Sequence, residues 1–179
     1  MIDAAVEVPL PNVGPGPDQL AIADLATPVA PPDPTTTDGA DPAYETVLLL
    51  LHRDHHAGQC RRQVRAVADR YGEFRERGCQ VVSVVPEPRE RVREWQDQYE
   101  LPYPLCADPD ATVGEAFEQP VRLGALGRHV DLVGRMPAAI VLDVRNDGDE
   151  ITVAASHRGH TNMDRPGIDE LLATIDRET

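Results

Sequence analysis

Val47 to Leu51 is an unbroken apolar run of strand length, flanked by Thr46 and His52. A strand with one face in water alternates apolar and polar residues, so a continuous run implies a strand covered on both faces. That condition calls for a parallel or mixed sheet with helices above and below it. The segments that follow supply the helices. After a polar loop, Arg53 to Gln59, the stretch Cys60 to Arg77 carries Val64, Val67, Ala68, Tyr71 and Phe74 at helical spacing, and Gly78 ends it. Gln80 to Val85 reads as a second buried strand.

Pro86-Glu87-Pro88 then opens a second helix, whose inner face is marked by Val92, Trp95, Gln96 and Tyr99. Tyr103 to Cys106 is a short extended piece, and a short helix is expected around Thr112 to Phe117. Pro120 to Val133 is less regular. Ala138 to Asp143 reads as a third strand, Asn146 to Asp149 as a hairpin turn, and Ile151 to Arg158 as the returning strand. Ile168 to Ile175 closes the chain as a helix. The alternating first half implies right-handed parallel crossovers, and the second half a hairpin plus helix. The expectation is an α/β fold: a central mixed β-sheet flanked by helices on both faces, which is the thioredoxin-like architecture.

The first 43 residues differ. They are rich in Pro, Asp, Thr and Gly, and Pro9 to Pro17 must be extended or turned. Leu20 to Leu25 reads as a short helix or strand. Residues 1–43 are expected to be an extension that packs on or near a domain spanning 44–179.

Charge excludes several functions. The chain has 31 acidic residues against 17 basic ones, a formal net charge of -14, and every basic residue is arginine. Such a surface repels nucleic acid and anionic membranes, and no basic patch offsets it. Hydrated carboxylates suit a protein of a salt-loving organism, a haloarchaeon, where roughly molar salt screens their repulsion over about 3 Å. No apolar run approaches the roughly 20 residues that cross a bilayer. The start has no basic, apolar leader pattern, so the expected location is the cytoplasm. Three cysteines, Cys60, Cys79 and Cys106, make no disulfide framework, and Cys-x-x-Cys is absent.

Specific residues carry a resemblance. Val47 to Arg65 with Tyr71 to Phe74, Val81 to Pro88, Leu101 to Asp110, Arg135 to Asp143 and His157 to Leu172 together resemble, in order, the peroxiredoxin-like redoxins: the alkyl hydroperoxide reductase and thiol-specific antioxidant group of the thioredoxin-like superfamily. The similarity covers roughly residues 44–176. It implies an antioxidant oxidoreductase that reduces a peroxide with Cys60 and is restored by an external thiol reductant such as a thioredoxin-like protein. It implies no cofactor, and it leaves room for a homodimer. It also implies that Ala57, Gly58, Gln59 and His56 form the active loop, and that Pro137 faces it through a cis bond.

Two departures bear on the chemistry. Relatives often carry Cys-x-x-Cys where this chain has Ala57-Gly58-Gln59-Cys60. Peroxiredoxins carry Pro-x-x-x-Thr-x-x-Cys where this chain has Arg53 and Ala57 at the Pro and Thr positions. A dithiol at that site is therefore excluded, and the hydroxyl that would hold a peroxide is missing. What remains is a cysteine in the first turn of a helix, where unpaired N–H groups and the helix dipole stabilise a thiolate. Arg61, Arg62 and Arg135 are the candidate cations, with Arg135 the catalytic one.

Three readings stay open at this stage. One is a one-cysteine peroxide reductase. Another is a redox-degenerate binding module that uses the Cys60–Pro137 face without turnover. The third is a metal or redox sensor in the His-rich loop 52–60, with His55, His56 and Cys60 as ligands. Cys79 and Cys106 read most simply as core residues, and His157 and His160 as structural or exposed ones.

Overall fold

The structure is a computed structural model that describes residues 2–27, 44–121, 135–145, 151–161 and 163–179. Its centre is a five-stranded sheet. β3 (Thr46–Leu51) is the middle strand, with β4 (Cys79–Val85) parallel on one side and β6 (Ala138–Asp143) antiparallel on the other. β5 (Leu105–Ala107) adds parallel to β4, and β7 (Thr152–Arg158) adds antiparallel to β6. The order across the sheet is β5-β4-β3-β6-β7. A small ribbon, β1 (Leu10–Pro11) with β2 (Gln19–Leu20), precedes it.

All six residues of β3 and all seven of β4 are buried. Successive side chains point to opposite faces, so each strand feeds two cores. Leu48 and Leu50 join Val81, Val85, Ala139 and Val141 on one face. Over that face lie α2 (Gly58–Asp69), α3 (Tyr71–Glu76), α4 (Arg89–Tyr99) and α6 (Ile168–Glu178), which contribute Val64, Val67, Phe74, Val92, Trp95 and Ile175. Val47, Leu49, Leu51, Val82, Val84, Ile140 and Leu142 point the other way. There they meet Val6 of α1 (Ile2–Val6), Leu20, Ile22 and Leu25 around a 3-10 turn, and Val113 of α5 (Thr112–Ala116). Each such aliphatic side chain removed from water stabilises the fold by about 1.5–3 kcal/mol. The proline-rich start is therefore built into the second core: Leu20, Ile22 and Leu25 are fully buried.

The structure corrects two local expectations. The helix read from Cys60 to Arg77 begins two residues earlier and breaks at Arg70, whose φ of -120° and ψ of 22° interrupt the coil. The Arg70 guanidinium spans that break, bonding Glu73 at 2.6 and 2.9 Å and Asp169 of α6 at 2.6 Å. Gly78 closes α3 at φ 64°, a left-handed position that favours glycine. The second correction concerns Pro137. No peptide bond of the described residues is cis, so the bond before Pro137 is trans. Met136 is held on both sides, its N–H donating to Pro120 O at 2.7 Å and its carbonyl accepting Gln119 Nε2 at 2.9 Å. That pairing carries the chain straight into β6. The Pro137 carbonyl accepts Gly159 N–H at 2.8 Å, so it is spoken for within the β6–β7 end of the sheet. The hairpin turn expected at Asn146 to Asp149 and most of Pro120 to Val133 lie outside the described residues.

Candidate active site at the start of the second helix

β3 delivers the chain to the site and α2 carries the cysteine away from it. His52 follows the last residue of β3 and is fully buried. Its N–H bonds Val84 O at 2.9 Å, and its Nε2 lies 2.9 Å from Ser83 Oγ. Burial, with the Arg165 charge added to it, pushes the His52 pKa down to about 3, so the ring is neutral at ordinary pH. The loop then turns back. Asp54 Oδ1 accepts Ala57 N–H at 2.7 Å, which shapes the entry to α2. Ala57 is the N-cap, in an extended conformation with no side-chain cap.

Cys60 is the third residue of α2, so its sulfur belongs to the first turn, where N–H groups lack helical partners. The side chain is fully buried. Its Sγ accepts two hydrogen bonds, from Arg53 N–H at 3.3 Å and from Arg165 Nη2 at 3.0 Å. Arg165 Nη1 is held by Gln63 Oε1 at 2.9 Å. A cationic donor, an amide donor and the positive end of a helix thus converge on one sulfur, an arrangement that favours negative charge there.

Other residues expected in the site fall into two groups. Gly58 and His56 are exposed and Gln59 is half-buried, all beside Cys60. Arg61 and Arg62 reach back along the loop, to His56 O and to Gln59 Oε1 respectively. Arg135, however, is given to a carboxylate: its Nη2 lies 2.6 Å from Glu115 Oε1 of α5. The guanidinium on Cys60 comes instead from Arg165, in the loop before α6. Spacing could not reveal it, because the two residues stand 105 positions apart. Gln63 and Gln119 were also missed. Gln119 Nε2 bonds both His52 O at 3.0 Å and Met136 O at 2.9 Å, tying the active loop to the start of β6.

The histidine loop is organised without a metal cluster. His55 Nε2 pairs with Glu94 Oε2 at 3.0 Å, and its ring stacks on Trp95 with centroids 5.9 Å apart. Trp95 Nε1–H donates to His55 O at 3.1 Å. Among the described residues no three His, Cys, Asp or Glu side chains gather as a metal site. The ligand set His55, His56 and Cys60 is therefore not assembled. Cys79 and Cys106 are fully buried, and burial pushes each thiol up to about 12.

A mixed sheet with this strand order, and a cysteine in the first turn of the helix after its central strand, defines a thioredoxin-like thiol redox protein. Residues 33–146, more than half of the chain, match the model of the AhpC/TSA family, and the chain belongs to that family. No curated protein matches it. Solved structures carry the same fold. Peroxidoxin BcpB from Mycobacterium tuberculosis is 20% identical with a TM-score of 0.67, over 94% of this chain and 91% of that one. A mutant of Xanthomonas campestris peroxiredoxin Q is 14% identical with a TM-score of 0.69, over 98% and 94%. Enterococcus faecalis AhpC is 17% identical with a TM-score of 0.60, over 74% of each chain. The chain is a thiol-dependent redox protein of the peroxide-reducing kind. Among the described residues no helix is long and apolar enough to cross a membrane.

Proposed function

We propose that this protein reduces peroxides by a one-cysteine cycle at Cys60, in the cytoplasm, with an external thiol such as a thioredoxin-like protein as reductant. The observation that carries the reading is the pair of donors on Cys60 Sγ, Arg165 Nη2 at 3.0 Å and Arg53 N–H at 3.3 Å. The thiolate attacks one peroxide oxygen. The S–O bond forms as the O–O bond breaks, and the other oxygen leaves as alkoxide or hydroxide and takes a proton to become alcohol or water. Cys60 is left as sulfenic acid. One reductant thiol displaces water to give a mixed disulfide. A second thiol then displaces Cys60 as thiolate, leaving the reductant as its disulfide.

Arg165 is suited to two moments of this cycle. It stabilises the attacking thiolate, and it offers N–H donors to the charge that develops on the leaving oxygen. Ala57 has no hydroxyl to hold the peroxide, so the binding of substrate falls to the Arg53 backbone and the guanidinium. Neither Cys79 nor Cys106 is suited to be the second thiol of a dithiol cycle, since burial holds both protonated.

The test is the rate of Cys60 oxidation by hydrogen peroxide and by an organic hydroperoxide, in high salt, with Cys60→Ser as control. Rapid sulfenic acid formation that disappears in the control is the expected result. A rate no better than that of a free thiol would make the protein a binding module on a redox fold.

A further inference from the structure

The loop between β7 and α6 is folded upon itself around one carboxylate. Asp164 Oδ1 lies 2.9 Å from Nε2 of His157, the penultimate residue of β7, and Asp164 Oδ2 accepts His160 N–H at 2.8 Å. The backbone closes over them: Asp164 N–H donates to Thr161 O and Arg165 N–H to Met163 O. Gly159 permits the closure. A Cβ there would stand 2.6 Å from Asp164 O and 3.0 Å from Pro137 Cγ. The base of the loop is fixed by the sheet, where His157 is in register with Ala139 and Gly159 N–H bonds Pro137 O. The residue after the carboxylate is Arg165, whose guanidinium reaches Gln63 and Cys60.

We propose that Asp164 is a positioning residue, clasped by His157 and His160, that aims Arg165 at Cys60. The inference rests on the reading of Cys60 as the reactive thiol. A free arginine side chain samples many rotamers, so a guanidinium is a useful partner only if its direction is fixed. Here the direction is fixed twice: Asp164 sets where the backbone leaves the loop, and Gln63 receives the far nitrogen. The groups that face Asp164 favour its ionised form, chiefly the His160 N–H and then the His157 ring, and hold its carboxyl below the usual range. The Asp164 carboxylate therefore stays ionised at neutral pH.

The experiment compares the full-length wild type with Asp164→Ala, Asp164→Asn, Arg165→Met and the double variant Asp164→Ala/Arg165→Met. Two quantities are read: the rate of Cys60 oxidation by hydrogen peroxide, and the pH profile of Cys60 alkylation by iodoacetamide, followed at that residue by mass spectrometry. Asp164→Ala should slow oxidation about tenfold, the size of a lost charge-assisted bond, and move the alkylation profile to higher pH. Asp164→Asn keeps its carbonyl oxygen as acceptor for the His160 N–H and can donate its amide to the other tautomer of the His157 ring, so it should stay within about threefold of wild type. The double variant should be no slower than Arg165→Met alone, because the carboxylate acts only through the guanidinium.

An unchanged Asp164→Ala, or effects that multiply in the double variant, would overturn the assignment. If Asp164→Ala unfolds below the assay temperature, His157→Phe removes one arm of the clasp; a slowing between wild type and Arg165→Met is then expected, and no slowing refutes it. If wild-type Cys60 reacts with peroxide no faster than a free thiol, the peroxidase reading fails on its own. The alkylation profiles still decide the clasp.

Discussion

Cys60 and Cys106 are equally hidden from water, yet they sit in opposite electrostatic surroundings. Cys60 lies on the face of the sheet covered by α2, α3, α4 and α6, with a guanidinium and an amide on its sulfur. Cys106 lies on the other face, in the middle of β5, where burial and the nearby Asp108 charge both oppose ionisation. Cys79 resembles the second case: its Sγ donates to Gln80 O, and burial raises its thiol to about 12. Burial keeps those two thiols protonated, and what sets Cys60 apart is the pair of donors, one of them cationic, on its sulfur.

The contrast can be broken most severely at the sulfur itself. Cys60→Ser should remove peroxide-dependent thiol consumption, a fall of roughly a thousandfold or more, whereas Cys106→Ser should leave that rate within about twofold; steady-state assays of both variants decide the point. Removing the cation is the next largest change. Arg165→Met should slow Cys60 oxidation about tenfold or more, while Arg135→Met, which loses the pairing with Glu115, should stay within about threefold. Stopped-flow rates for the two variants separate them.

The inert thiols sharpen the comparison through pH. Cys79 and Cys106 ionise near 9 when unfolded and near 12 when folded, so the native state keeps protons that the unfolded chain releases. Stability should be full below pH 9 and fall as pH rises toward 12. Each thiol contributes up to about 1.4 kcal/mol per pH unit in that window, and denaturant melts of Cys79→Ala and Cys106→Ala should show a flatter alkaline limb. His52 acts at the other end. Its pKa falls from 6.5 unfolded to about 3 folded, so the unfolded state binds the extra proton and stability drops as pH falls below 6.5. Its share is again at most about 1.4 kcal/mol per pH unit, and His52→Gln melts between pH 7 and 4 would measure it.

How much of this was legible in the sequence depended on distance along the chain. The continuous apolar runs at β3 and β4 predicted a sheet covered on both faces, and alternation within those runs is what divides the two cores. Cys60 and its loop were legible because the residues that shape them are neighbours. The break at Arg70 was not, because Val64, Val67, Tyr71 and Phe74 keep helical spacing through it. Leu20, Ile22 and Leu25 could be read as a short element, but their partners on β3 and β6 are remote. Arg135 stands just before β6 and looked well placed, and only the fold shows Glu115 taking its guanidinium. Arg165 lies in a stretch that reads as a helix entry, and nothing local marks it as a partner of Cys60.

Trp95, the chain's one tryptophan, is almost wholly shielded from solvent and lies between two imidazoles, His52 edge-on at 5.6 Å and His55 stacked at 5.9 Å. Its indole N–H is bonded to the backbone of the loop that precedes Cys60. The molecule therefore contains its own optical probe. A rearrangement of that loop on oxidation of Cys60 would change the surroundings of the indole, so emission from the one tryptophan should report that oxidation without any added label.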